Sequence, residues 1–172
     1  MIELTDIAAT LNSTPRVLQH LLQPIDPELL AARPEPGEWC VLEVIAHLVA
    51  TDRDAFRHRI TSIVAGEPEI AAFDPWTAIK ARNFAAVDLE HLLTELSAER
   101  EVSTTFLDSL SPSDLNKTAN YGRHGVFAAG DFAHEWPFHD QDHLQQILDI
   151  LKQSYLPHMT ETMRAALLVT TD

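Results

Sequence analysis

Phe132, Trp136, His139, His143, Ile147 and Ile150 recur at intervals of 4, 3, 4, 4 and 3 residues. Only an α-helix brings residues so spaced onto one face, because its turn is about 3.6 residues long. Such a stripe is normally apolar throughout and faces a core. Here two of its positions are histidines, so two imidazoles must point into whatever the helix packs against. Four residues apart on one helical face, their Cβ atoms stand about 5–6 Å from one another, near enough for both rings to bind one ion.

The same period recurs elsewhere. Leu4, Ile7, Ala8, Leu11, Leu18, Leu21 and Leu22 outline a first helix, which Pro15 either kinks or restarts with Thr14 as its cap. Pro24, Pro27, Pro34 and Pro36 mark an irregular connection. A second helix is predicted from about Glu38 to Ala65, where Gly66 and Pro68 stop it. Residues 67–86 read as a loop holding Phe73, Pro75 and Trp76. A third helix covers about Asp88 to Leu110, and Ser111-Pro112 ends it. The fourth runs from about Phe127 to Lys152, with a kink expected at Pro137. A short last helix spans 158–169. Four long helices with one apolar face each predict an all-α fold, an antiparallel four-helix bundle in a single domain over 1–172. No strand pairing is needed, although a hairpin near Tyr121 to Val126 is conceivable.

The charge balance excludes some functions. Twelve basic against 26 acidic residues give a net charge of −14 with no basic run. Such a surface repels a phosphate backbone and an anionic membrane, so neither nucleic acid nor membrane is an expected partner. No apolar run is long enough to span a bilayer, and MIELTDIAATLNS lacks the basic start and apolar core of a signal peptide. A cytoplasmic location follows as an expectation. Cys40 is the only cysteine, which rules out an internal disulfide and a cysteine-based zinc motif.

A third ligand must come from another helix. His47 stands mid-way through VLEVIAHLV, where a solvated histidine would be out of place. Three neutral imidazoles plus an exchangeable position make an open metal shell of the kind that ionises a bound water or thiol. Glu43, Asp54 and Gln146 lie on faces from which they could accept hydrogen bonds from the outward ring nitrogens. Cys40, about 10 Å along the axis from His47, reads as a core residue. His20, His58, His91, His134 and His158 read as surface residues and His124 as a loop residue. Trp39, Trp76 and Trp136 read as packing residues, though Trp76 and Phe73 could wall a substrate pocket. Tyr121 and Arg123 could line the same cavity. Arg123 is the candidate anchor for a carboxylate, because its fork binds one bidentately.

Two segments, GEWCVLEVIAHL (37–48) and FHDQDHLQQI (138–147), resemble the signature stretches of the DinB/YfiT-like superfamily. Trp39 stands eight residues before His47, and His139, Asp140, His143, Gln146 and Ile147 form a His-Asp-x-x-His-x-x-Gln-Ile pattern. The resemblance covers roughly residues 3–152. It implies a four-helix bundle, usually homodimeric, with a three-histidine site often holding zinc or nickel. It also implies chemistry on small molecules, with bacillithiol- or mycothiol-dependent transferases and isomerases among the relatives. The leading expectation is therefore a metal-dependent thiol S-transferase using a low-molecular-weight thiol. Alternatives are a hydrolase acting through metal-activated water and a non-catalytic, stress-related metal-binding module.

Overall fold

The computed structural model describes residues 2–80 and 88–169. Its long helices are α1 (Leu4–Leu22), α3 (Val41–Thr51) continued through a π-helical segment (Asp52–Arg57) into α4 (His58–Ala65), α6 (Leu89–Asp108) and α8 (Ala129–Tyr155). Shorter helices are α2 (Pro27–Ala31), α5 (Pro75–Lys80), α7 (Pro112–Leu115) and α9 (Glu161–Val169). The fold is the expected all-α four-helix bundle. Its packing pairs are α1 with α6, α6 with α3, α3 and α4 with α8, and α8 with α1. The first two long helices thus lie across a diagonal, and the last joins both of them.

The helix ends follow local chemistry. The Glu43 carboxylate accepts the Cys40 N–H at 2.9 Å and starts α3 three residues later than the sequence pattern suggests. Asp88 accepts the His91 N–H at 2.8 Å at the head of α6, and Asp131 accepts the Ala128 N–H at 2.8 Å at the head of α8. Gly66, with φ of 86°, supplies the left-handed turn that ends α4. Both α1 and α8 run on through Pro15 and Pro137, so neither proline ends its helix.

Two expectations are corrected, the first being that Pro75–Lys80, within the expected 67–86 loop, form the helix α5. Thr118–Asn120 (β1) and Val126–Ala128 (β2) form a short antiparallel hairpin, with Asn120 opposite Val126. The turn between them carries positive-φ Gly122 and Gly125, and Tyr121 N–H donates to the Gly125 carbonyl at 2.7 Å. Six residues of alternation are too few to stand out in the sequence, and paired turn glycines are what permit the pairing. The part of the 67–86 loop beyond Lys80 lies outside the described residues.

Two apolar clusters fill the bundle. One gathers Leu18, Leu22, Val44, Ile45, Leu48, Leu92, Leu96 and Ile147. The other gathers Ile7, Leu11, Phe56, Ile60, Ile63, Leu107, Phe132 and Trp136. Every residue of α3 is buried, which explains the nearly unbroken apolar run around His47. Between the clusters the core is polar, and there the histidines lie.

Candidate metal centre

His47 comes from α3, His139 and His143 from α8. His47 is 5 % exposed, and the two on α8 are half-buried. The Nε2 of His139 lies 3.1 Å from the Nε2 of His47 and 3.1 Å from the Nε2 of His143. One candidate ligand atom from each residue falls within 4.8 Å of the others.

Hydrogen bonds alone do not account for this convergence. Gln146 Oε1 accepts from His143 Nδ1 at 2.7 Å, so the neutral ring carries its proton there and presents a bare lone pair at Nε2. His139 Nε2 has a single in-plane position, either a proton or a lone pair, yet faces two other Nε2 atoms. One proton cannot bridge all three. A divalent cation can: with metal–nitrogen bonds of about 2.0–2.1 Å, a tetrahedral shell places its nitrogens roughly 3.3 Å apart. The three residues therefore fit a metal ion through their Nε2 atoms.

Protonation favours the same use. Burial pushes the His47 imidazolium down to about 3, helped by the charge of His143. Burial, followed by the charges of His143, His47, Arg100 and Arg59, pushes His139 to about 2. Burial also lowers His143, against an opposing pull from Gln146 and nearby aspartates. At neutral pH all three rings are neutral, so no proton has to leave before an ion binds.

This sets the pH dependence of the metal-free protein. In the unfolded chain the imidazoles take up protons near pH 6.5, whereas the folded chain resists until about pH 3 for His47 and about 2 for His139. The imidazoles' contribution to stability is therefore fully present above their unfolded pKa of 6.5 and is lost as the pH falls below it. Asp52 works the other way: burial raises it to about 7, so its folded form binds a proton that the unfolded form lacks. The two most shifted imidazoles outnumber it, so about one net proton or more favours unfolding between about pH 4 and 5. Urea titrations of chelator-treated protein should show stability falling by about 1.4 kcal/mol or more per pH unit there. A flat profile over that window would contradict it.

Aromatic rings enclose the site. Trp39 packs on His47 at 4.8 Å between centroids and on His143 at 6.3 Å, and Trp76 meets Trp39 edge-on at 5.1 Å. Phe56 meets His139 edge-on at 5.2 Å and stacks on Trp136. Trp76 is brought there by α5, which packs on α3, and it also walls a cavity of about 960 Å³ shared with Arg33, Glu43, Ile79 and Lys80.

The remaining expected residues separate into three groups. Gln146 stands against His143 as anticipated. Glu43 and Asp54 do not reach the imidazoles among the described contacts. Glu43 holds Arg33 and the Cys40 amide, because at the third position of α3 its carboxylate caps the helix. Asp54 is exposed and pairs with Arg53, turned outward by the π-helical segment. Tyr121 stacks on His124 at 5.3 Å and accepts from Arg59 at 2.8 Å, while Arg123 is exposed on the hairpin turn. Cys40 is buried in the core, its thiol pushed up by burial, and serves as the residue before α3.

The sequence reading overlooked a buried polar network beside the ligands. Arg100, 1 % exposed, places Nη2 at 2.7 Å from Asp140 and Nε at 3.3 Å from Asp52. Asp52 accepts from Trp136 Nε1 at 2.9 Å and from the Ser103 hydroxyl at 3.2 Å. Asp140 accepts from the Thr14 hydroxyl at 2.6 Å. The network takes residues from all four long helices and ends next to His139 in sequence. It fixes the rotation of α8 about its axis, and hence the direction of both histidines on it.

Comparison with known proteins agrees with this architecture. The family profile of the DinB superfamily matches residues 10–147. A protein of Oceanobacillus iheyensis, provisionally named a metal-dependent hydrolase, is 24 % identical over 145 residues, covering 83 % of each chain. The structure of YfiT from Bacillus subtilis, described with the same provisional activity and an unusual four-helix bundle topology, superposes with a TM-score of 0.76. That match has 15 % sequence identity and covers 88 % of this chain and 87 % of YfiT. With four-fifths of its length matched by the family profile, the chain belongs to the DinB superfamily.

Proposed function

We propose that this protein is a metal-dependent hydrolase of a small molecule, with a divalent ion, zinc or nickel, held by His47, His139 and His143. The observation that carries the proposal is the meeting of three Nε2 atoms that no arrangement of protons satisfies. The provisional descriptions of the two relatives support the same reading. The ion would supply Lewis acidity, lowering the pKa of a ligated nucleophile and polarising a substrate carbonyl. The chain supplies the rest. Gln146 orients His143, Trp39 and Phe56 hold the other two rings, and Trp39 and Trp76 offer a substrate an apolar wall that displaces water. A homodimer acting on a small-molecule substrate, without nucleic acid, belongs to the same proposal.

A second reading, transfer to a low-molecular-weight thiol, is favoured by one observation. Among the described residues no carboxylate contacts the three imidazoles, so a base for water is not at hand. A thiol, with a pKa of about 8.5, needs far less help to ionise. Chelator-treated protein, reloaded with zinc or nickel, separates the two. Hydrolysis of chromogenic esters and amides by the loaded protein alone is the expected result. Activity that requires an added thiol and an electrophile would replace the first reading with the second.

A further inference from the structure

On one flank of the three histidines lies a constellation that the proposed reaction leaves unused. Arg59 on α4 is half-buried. Its guanidinium carbon lies 5.0 Å from the centre of the Tyr121 ring and 5.4 Å from that of Phe132. Its Nη2 donates to the Tyr121 hydroxyl at 2.8 Å. Its Nε is buried and has no acceptor among the described residues. Two aromatic faces and a phenol thus fix the guanidinium without neutralising it. Glu135 feels its charge but forms no ion pair with it among the described residues. By contrast, Arg33, Arg53, Arg57 and Arg100 each have a carboxylate partner.

Two observations place this cation beside the metal ligands. Phe132 lies two turns before His139 on α8, near the same face. Phe56, three residues before Arg59, packs on His139 at 5.2 Å. The half-buried side chain keeps Nε inside and leaves the terminal end of the guanidinium as its accessible part. A positive group on the flank of a cation site is stabilised when an anion lies between them.

Resting on the hydrolase reading, we infer that Arg59 anchors a carboxylate of the substrate, so that the molecule is held between the Arg59–Tyr121 pair and the three-histidine centre. With Nε enclosed, the terminal edge of the guanidinium, Nη1 and the second hydrogen of Nη2, offers two N–H groups that match the two oxygens of a carboxylate. Arg59 takes the role the sequence suggested for Arg123, and Tyr121 enters the site as the residue that aims it. The substrate class is a small carboxylic acid bearing a hydrolysable acyl bond.

The test uses succinate as a carboxylate probe and two esters as substrates. Zinc-free full-length protein is titrated with succinate and followed by NMR shifts. Arg59→Gln should weaken binding about 10-fold or more, with its melting temperature and zinc stoichiometry unchanged. Arg59→Lys should restore part of the loss. Tyr121→Phe, which keeps the ring but releases the guanidinium, should weaken binding less than Arg59→Gln and serves if that variant fails to fold. In the zinc-loaded protein Arg59→Gln should raise KM for 4-nitrophenyl hemisuccinate about 10-fold and leave that for 4-nitrophenyl acetate within about twofold. Equal succinate affinity in wild type, Arg59→Gln and Tyr121→Phe overturns the anchor while leaving the hydrolase reading intact. Arg59-dependent succinate binding without hydrolysis of either ester overturns the hydrolase reading and leaves the anchor standing.

Discussion

His139→Ala/His143→Ala is expected to abolish metal binding, reducing zinc or nickel from about one ion per chain to background. Two of the three Nε2 atoms come from these residues, and what remains is a lone, deeply buried imidazole on α3. A single neutral imidazole has no chelate partner and cannot compete with water for a divalent ion at micromolar concentration. Fold and metal content should separate. The imidazoles are neutral at pH 7, so replacing them removes no charge pair and the metal-free variant should retain its helical circular dichroism. Elemental analysis of purified protein provides the check. Full metal content in the double variant would place the ion elsewhere, and loss of helicity would mean the rings are needed for packing.

The second large effect concerns stability. Asp140→Ala should cost about 3–5 kcal/mol in urea unfolding at pH 7, the usual consequence of removing one partner of a buried ion pair. Arg100, 1 % exposed, would lose its 2.7 Å partner, and the Thr14 hydroxyl would lose its acceptor. Asp52 remains on the other edge of the guanidinium but is already shared with Trp136 and Ser103. Replacing Arg53, whose pair with Asp54 is largely exposed, should change stability by less than about 1 kcal/mol. Similar losses for the two would show that the four-helix network is not where the stability resides.

The three ligands were legible in the sequence because periodicity and composition disagreed at His47, His139 and His143: each occupies a position that the helix phase reserves for an apolar side chain. The same disagreement was available at Arg100. Leu92, Leu96, Arg100, Ser103 and Leu107 follow one face of α6 at helical spacing, and an arginine there must meet buried acids. Glu95, Glu99 and Glu101 around it give that stretch of the helix a polar composition in which one more charge does not stand out. Asp54 failed for a different reason. Its predicted face assumed uniform α-helical phase from Val44 onward, and the π-helical segment Asp52–Arg57 breaks that phase. Arg59 was invisible to spacing because Tyr121 and Phe132, which hold it, come from distant parts of the chain.

That wide turn has a further consequence. It divides one continuous helical run into two halves out of phase, with His47 in the first and Arg59 in the second. Tightening it by one residue would turn the second half by about 100° relative to the first. An insertion or deletion within these six residues would therefore turn a different side chain towards the centre while leaving the half that carries His47 in place. The wide turn thus separates the direction of the second half from that of the ligand-bearing first half.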